Sequence, residues 1–168
     1  KIDRRDILRW ALTMSYLGFA GLLPRPLAAM IKPGMRRVQG DVRVNGRAAE
    51  PGLIVGAGDT LSTGPAGEAV LVFGANAFLL HSDGEIVFSE ETAAEKILTI
   101  VSGKFLSVFG PEKLTIDTPL ATIGIRGTGL YVEVMPERNY VCLCYGQAGL
   151  RAKLNPAVSE ELRAVHHD

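Results

Sequence analysis

The sequence predicts an all-β fold. Beyond residue 30 apolar residues recur at period two, and Gly, Asn, Asp and Ser turns separate the runs every eight to twelve residues. Composition agrees: with 19 Gly, 9 Pro, few aromatics and many β-branched aliphatics, short strands and turns are favoured over helices. At 168 residues the chain has the length of one domain with room for a proper core. Its 18 basic and 18 acidic residues balance, which gives no electrostatic case for nucleic acid or an acidic partner. Five of the basic and two of the acidic residues lie in residues 1–30, so the remainder carries 13 against 16 and is mildly acidic.

Residues 1–30 have the three-part layout of an export signal. Arg4, Arg5 and Arg9 precede an apolar run from Trp10 to Leu23, which Pro24 and Pro26 end. Leu27-Ala28-Ala29 then supplies small residues for cleavage. The run of 14 residues is shorter than the ~20 a membrane-spanning helix needs. Arg4-Arg5-Asp6-Ile7-Leu8-Arg9 resembles the twin-arginine export motif, although Asp3 stands where that pattern prefers Ser or Thr. The resemblance implies a signal helix, an exported protein and a periplasmic location. The alternatives are an amphipathic first helix of the folded domain and an uncleaved anchor, the latter the one route to a membrane.

Strands follow in order. Val38, Val42 and Val44 alternate with polar residues up to Asn45-Gly46, a strong hairpin signal. Leu53 to Val55 come next, then a Gly56-Ala57-Gly58-Asp59 turn. Ala69 to Phe73 and Ala77 to His81 flank Gly74-Ala75-Asn76. Ile86 to Phe88, Ile97 to Val101 and Lys104 to Phe109 continue, the last two joined by Ser102-Gly103. Leu114 to Ile116, Ala121 to Ile123, Leu130 to Val134 and Asn139 to Tyr145 complete the series. Only Glu91 to Lys96 and Pro156 to Arg163 have the composition for a helical turn or two.

Two motifs carry a resemblance. Gly58-Asp59-Thr60-Leu61-Ser62-Thr63-Gly64 reads as "GDxLxTG", and Ala121 to Thr128 reads as a variant of "ATIRGT". With a Gly103-Lys104-Phe105 strand start between them, they resemble the FecR-type periplasmic domain over roughly Val38 to Val134. That resemblance implies a twisted solenoid-like or barrel-like all-β domain, over residues 36–135, with a β extension over 136–168. Proteins of that family carry a cytoplasmic anti-sigma segment and a spanning helix. The expected export signal departs from that plan, so the resemblance implies an exported interaction, sensing or scaffold module with an envelope protein as partner.

The chemistry-bearing candidates are few. Ile123-Gly124-Ile125-Arg126-Gly127-Thr128-Gly129 looks like a phosphate cradle, but a strand pattern follows it where a helix N-terminus is needed. It reads as a strand corner, with Gly124 and Gly127 serving backbone geometry. Arg126 would tie neighbouring acceptors, and Thr128 would bond within the turn. Asp59 reads as an acceptor of turn N–H groups. His81 reads as an edge residue. No catalytic constellation stands out, so no enzyme is expected. Cys142 and Cys144 lie two apart on a strand and so share a face. Together with His166 and His167 they form a ligand set suited to zinc, copper or iron. A Cys142–Cys144 disulfide, two small buried residues, and thiols paired with other chains are the competing readings.

Overall fold

A computed structural model of the chain describes residues 32–92 and 95–165, except for the side chains of 90–97. They contain twelve strands and no helix. In order these are β1 (Gly34–Gln39), β2 (Val42–Val44), β3 (Arg47–Ala48), β4 (Thr60–Thr63), β5 (Glu68–Phe73) and β6 (Asn76–Leu80). Then come β7 (Glu85–Thr92), β8 (Glu95–Val108), β9 (Lys113–Asp117), β10 (Ala121–Val134), β11 (Asn139–Ala152) and β12 (Ser159–Ala164). The fold is all-β, as the alternating pattern predicts.

Asn45 and Gly46 turn β2 into β3 with positive φ at both positions, 52° and 76°, the backbone such a two-residue turn requires. Leu53 to Val55 form no strand. The Leu53 carbonyl instead accepts the Met35 N–H at 2.7 Å, and Val55 is buried in the core. The stretches offered for helical turns hold no helix among the described residues. Glu95 and Lys96 open β8, and Ser159 to Arg163 lie in β12, paired antiparallel with β11 from Arg151↔Ser159 to Gly146↔Ala164. Six ladder partners outweigh the small helix preference of Glu, Leu and Arg.

Two further expected pairs of strands are each one long strand. Ile97 to Val101 and Lys104 to Phe109 merge into β8, 14 residues long. Ala121 to Ile123 and Leu130 to Val134 merge into β10, also 14 residues. Each long strand changes partners half-way. The first half of β10 pairs antiparallel with β9, from Thr122↔Asp117 to Arg126↔Lys113. Its second half pairs antiparallel with β8, from Gly129↔Val108 to Val134↔Gly103. The first half of β8 pairs parallel with β9, from Lys96↔Leu114 to Thr99↔Asp117. Strands β8 and β10 therefore run side by side and then part, and β9 fills the wedge between them. One sheet accommodates both halves, mixed in direction and not closed on itself.

The other side of β8 is covered by β6 and β7, which together run antiparallel along most of its length. One face of the strands packs a continuous apolar core. Phe78 is central to it: its ring lies 5.4 Å from Phe105, 5.6 Å from Phe109 and 6.0 Å from Phe88, the last two edge-on. Leu61, Leu71, Leu80, Ile86, Ile100, Ile116, Ile123, Leu130 and Val132 are fully buried around it. Truncating one of these rings to Ala removes ~3–5 kcal/mol, lost transfer energy and a new cavity together.

Candidate functional site

The two signature motifs lie in the scaffold. Gly56 donates its N–H to Asp59 Oδ2 at 2.7 Å, and Asn45 Nδ2 donates to Asp59 Oδ1, also at 2.7 Å. The Thr60 N–H donates in turn to Asn45 Oδ1 at 2.9 Å. The Gly56 N–H first, and the Asn45 amide second, hold the Asp59 carboxyl below the usual carboxylate range. Gly58 donates to the Phe88 carbonyl, and Leu61 enters the core. Thr63 Oγ1 donates to the His81 carbonyl at 2.5 Å and accepts the Gly84 N–H at 3.0 Å. Gly64 closes on the Asp41 carbonyl at 2.8 Å. Gly103 lies mid-way along β8, where a Cβ would stand 2.5 Å from the Gly84 Cα.

The second motif marks the fork of β8 and β10. Between Arg126 and Gly129 the register against β11 shifts, and it shifts back at once beyond Gly129. Thr128 and Cys144 are extra residues on the two strands, so two bulges compensate and the same face of β10 stays on the core. Gly127, at φ 59°, donates to the Gly110 carbonyl at 3.0 Å, and the Phe109 N–H donates to the Thr128 carbonyl at 2.8 Å. The motif is thus a bulge where one strand exchanges neighbours, not a corner between two strands.

Two roles expected within it are corrected. The Arg126 side chain is exposed and makes no hydrogen bond or ion pair among the described residues, because strand alternation aims it outward between buried Ile125 and the bulge. Thr128 is fully buried, and its Oγ1 has no hydrogen-bond partner among the described residues. The bulge turns that side chain into the core, away from the turn it was expected to serve. His81 is half-buried, with Nδ1 3.6 Å from Glu68 Oε2; Glu68 also pairs with Arg37.

A surface that sequence reasoning missed lies on the outer face of β6, β8, β10 and β11. Leu79, Leu106, Tyr131 and Cys142 form one row across the four strands, and Ala77, Val108, Gly129 and Tyr145 form the next. Leu106 is 38% exposed, Val108 51%, Tyr140 53% and Tyr145 38%. Tyr145 covers Gly129, where a Cβ would stand 2.5 Å from its ring. Tyr131 meets Tyr140 edge-on at 6.1 Å, and Lys104 faces Glu133 at 3.6 Å on the rim. The signal was present in Phe105-Leu106-Ser107-Val108-Phe109. Phe105 and Phe109 must both face the core, which puts Ser107 inside and the two aliphatics outside. Ser107 is indeed 1% exposed, and its Oγ donates to the Leu130 carbonyl at 3.1 Å. Such an inverted strand is costly for a protein that keeps this face in water.

Cys142 and Cys144 lie at the edge of that surface. Both are half-buried and unpaired by any disulfide. Burial pushes the Cys144 thiol up, and the neighbouring Cys142 adds to the shift. His166 and His167 lie outside the described residues. Among the described residues no group of three or more metal-ligating side chains comes together, and no helix is long and apolar enough to cross a membrane.

No protein-family model matches the sequence, and no curated protein does either. The fold is nevertheless shared with solved structures. Two crystal structures of a protein from Parabacteroides distasonis ATCC 8503, proposed to be an anti-sigma factor, superpose with TM-scores of 0.55 and 0.54. They are 13% and 14% identical in sequence, and the match covers 62% of this chain and 50% of each of theirs. At that identity the likeness speaks for the architecture. The chain spans half the length of those neighbours.

Proposed function

We propose that this chain is a non-catalytic, FecR-like docking domain of an envelope signalling system, and that it engages a partner protein through the face around Leu106, Val108, Tyr140 and Tyr145. The exposed apolar face carries the reading. Tyrosines among aliphatics, rimmed by the Lys104–Glu133 pair, make the composition that protein interfaces concentrate at their centres. The FecR-like motifs and the fold shared with proteins proposed to be anti-sigma factors support a regulatory setting. The Arg4-Arg5 signal supports export to the periplasm, which makes the partner an envelope protein.

The test is cross-linking in the native cell, with a photoreactive residue at position 106 or 145 and a control at exposed Leu154 on the far loop. The expected result is one discrete adduct from both face positions, lost on Val108→Glu, and none from the control. Equal adducts from all three positions, or none, would overturn the docking surface. Export is tested separately: Arg4→Lys with Arg5→Lys should hold the protein in the cytoplasm, and normal export of that variant would sink the twin-arginine assignment.

A second reading rests on the two free thiols of Cys142 and Cys144, two positions apart on β11. A dithiol there suits a soft transition metal or a redox response, with His166 or His167 as further ligands. Metal that co-purifies near stoichiometrically, and is lost in Cys142→Ser/Cys144→Ser, supports a metal site. Metal-free protein two mass units lighter than the dithiol supports the redox response instead.

A further inference from the structure

The outer face of β9 to β12, beyond the fork, holds a groove of about 610 Å³ that adjoins a second of about 450 Å³. One wall is a row of side chains in direct register across the four strands: Lys113, Arg126, Gln147 and Arg163. The opposite wall carries Arg151, with the hydroxyls of Thr122 and Ser159 on either side of it. Of the acidic residues lining the groove, Glu161 faces Arg163 at 3.6 Å and Glu160 lies at the far end. The cations are in excess.

Between the walls runs a row of Thr115, Gly124, Gly149 and Glu161, bare backbone only at its two central positions. Gly124 and Gly149 stand directly opposite one another, and neither has a local reason to be glycine. Both have ordinary strand φ, and a Cβ would meet nothing within 4 Å at Gly149 and only the Gly149 carbonyl, at 3.9 Å, at Gly124. Glycine inside a strand is destabilising relative to alanine, and one of its uses is to admit a ligand close to the backbone.

We propose that this groove binds a linear anionic polysaccharide bearing a carboxylate on each sugar ring. Three features select this occupant. Cations on neighbouring strands are ~4.8 Å apart, so the row from Lys113 and Arg126 to Arg163 is an extended one, and a linear polyanion laid along it places carboxylates against more than one of them. No residue lining the groove is aromatic, which removes the stacking platform that single-stranded nucleic acids use. The bare backbone at Gly124 and Gly149 admits a ring, and Gln147 and Ser159 offer partners for its hydroxyls, while Thr122 Oγ1 donates to Asp117 Oδ1 at 3.2 Å at the end of its row. The site is separate from the apolar face and does not depend on it.

The experiment is fluorescence anisotropy of labelled hexagalacturonate with the full chain, with maltohexaose and hexaglutamate as competitors. Saturable binding that weakens with added salt is expected, with the competitors weaker by about tenfold or more. Gly149→Trp, whose side chain enters open space, should fill the groove and weaken binding about tenfold with unchanged melting. If that variant does not fold, Arg126→Glu with Arg163→Glu, both exposed, carries the same expectation. No binding, equal binding of maltohexaose, tighter binding of hexaglutamate, or full binding by a folded variant would each overturn the proposal.

Discussion

Gly146 stands directly against Thr128 across the paired bulges: a Cβ on Gly146 would lie 2.7 Å from Thr128 Cγ2 and 2.8 Å from the Gly127 carbonyl oxygen. Two strands can bulge at the same level only because one of them has no side chain there. Gly146 also has φ 96°, a conformation outside the reach of ordinary side chains.

This ranks two substitutions. Gly127→Ala meets nothing nearer than 3.8 Å at φ 59°, so it costs only the left-handed penalty of about 1–2 kcal/mol. Gly146→Ala adds a collision with rigid backbone and should cost clearly more than that. Urea unfolding of the two variants checks the order, and equal losses would contradict the paired-bulge account.

Thr128 and Thr63 make a second contrast. Both are buried, but Thr63 Oγ1 bonds the His81 carbonyl and the Gly84 N–H, while Thr128 Oγ1 bonds nothing among the described residues. Thr128→Val should therefore be neutral or stabilising, and Thr63→Val should destabilise by ~1–3 kcal/mol, the cost of orphaning buried groups. Chemical denaturation of the pair separates them.

Asp59 sets an acid limb. Its carboxyl is held below the usual range in the folded state, so the folded protein binds fewer protons than the unfolded chain as pH drops. The contribution is complete above roughly pH 4 and is lost as pH falls through the lower folded-state value. Asp59→Asn should be less stable than the parent at pH 7, with the gap narrowing in acid. A gap constant down to pH 2 would contradict the role given to the Gly56 N–H and the Asn45 amide.

Cys144 should react slowly near neutrality. Its burial and the adjacent Cys142 hold it as a thiol to higher pH than an ordinary cysteine, and only the thiolate is alkylated. In the Cys142→Ser variant part of that shift is removed, so iodoacetamide labelling of Cys144 should become faster at pH 8. Mass spectrometry of timed samples reads the rate, and slower labelling in the variant would contradict the assigned cause.

The sequence by itself determined the all-β class and most of the strands. It also placed the Asn45-Gly46 hairpin and the Asp59 turn, because alternation and turn chemistry are local and each residue reports on its own backbone. Tertiary structure decided the rest. Whether Gly103 and Gly127 break a strand or bend one depends on the strand alongside, so two expected corners became irregularities within β8 and β10. Pairing with β11 likewise made an extended strand of the segment around Glu160 and Glu161. The apolar face and the cation-walled groove have the same origin. Leu106 lies beside Tyr131, and Arg126 beside Lys113, only through register between distant segments. A residue's own neighbours in the chain do not encode which strand will lie next to it; the packing of the whole core does.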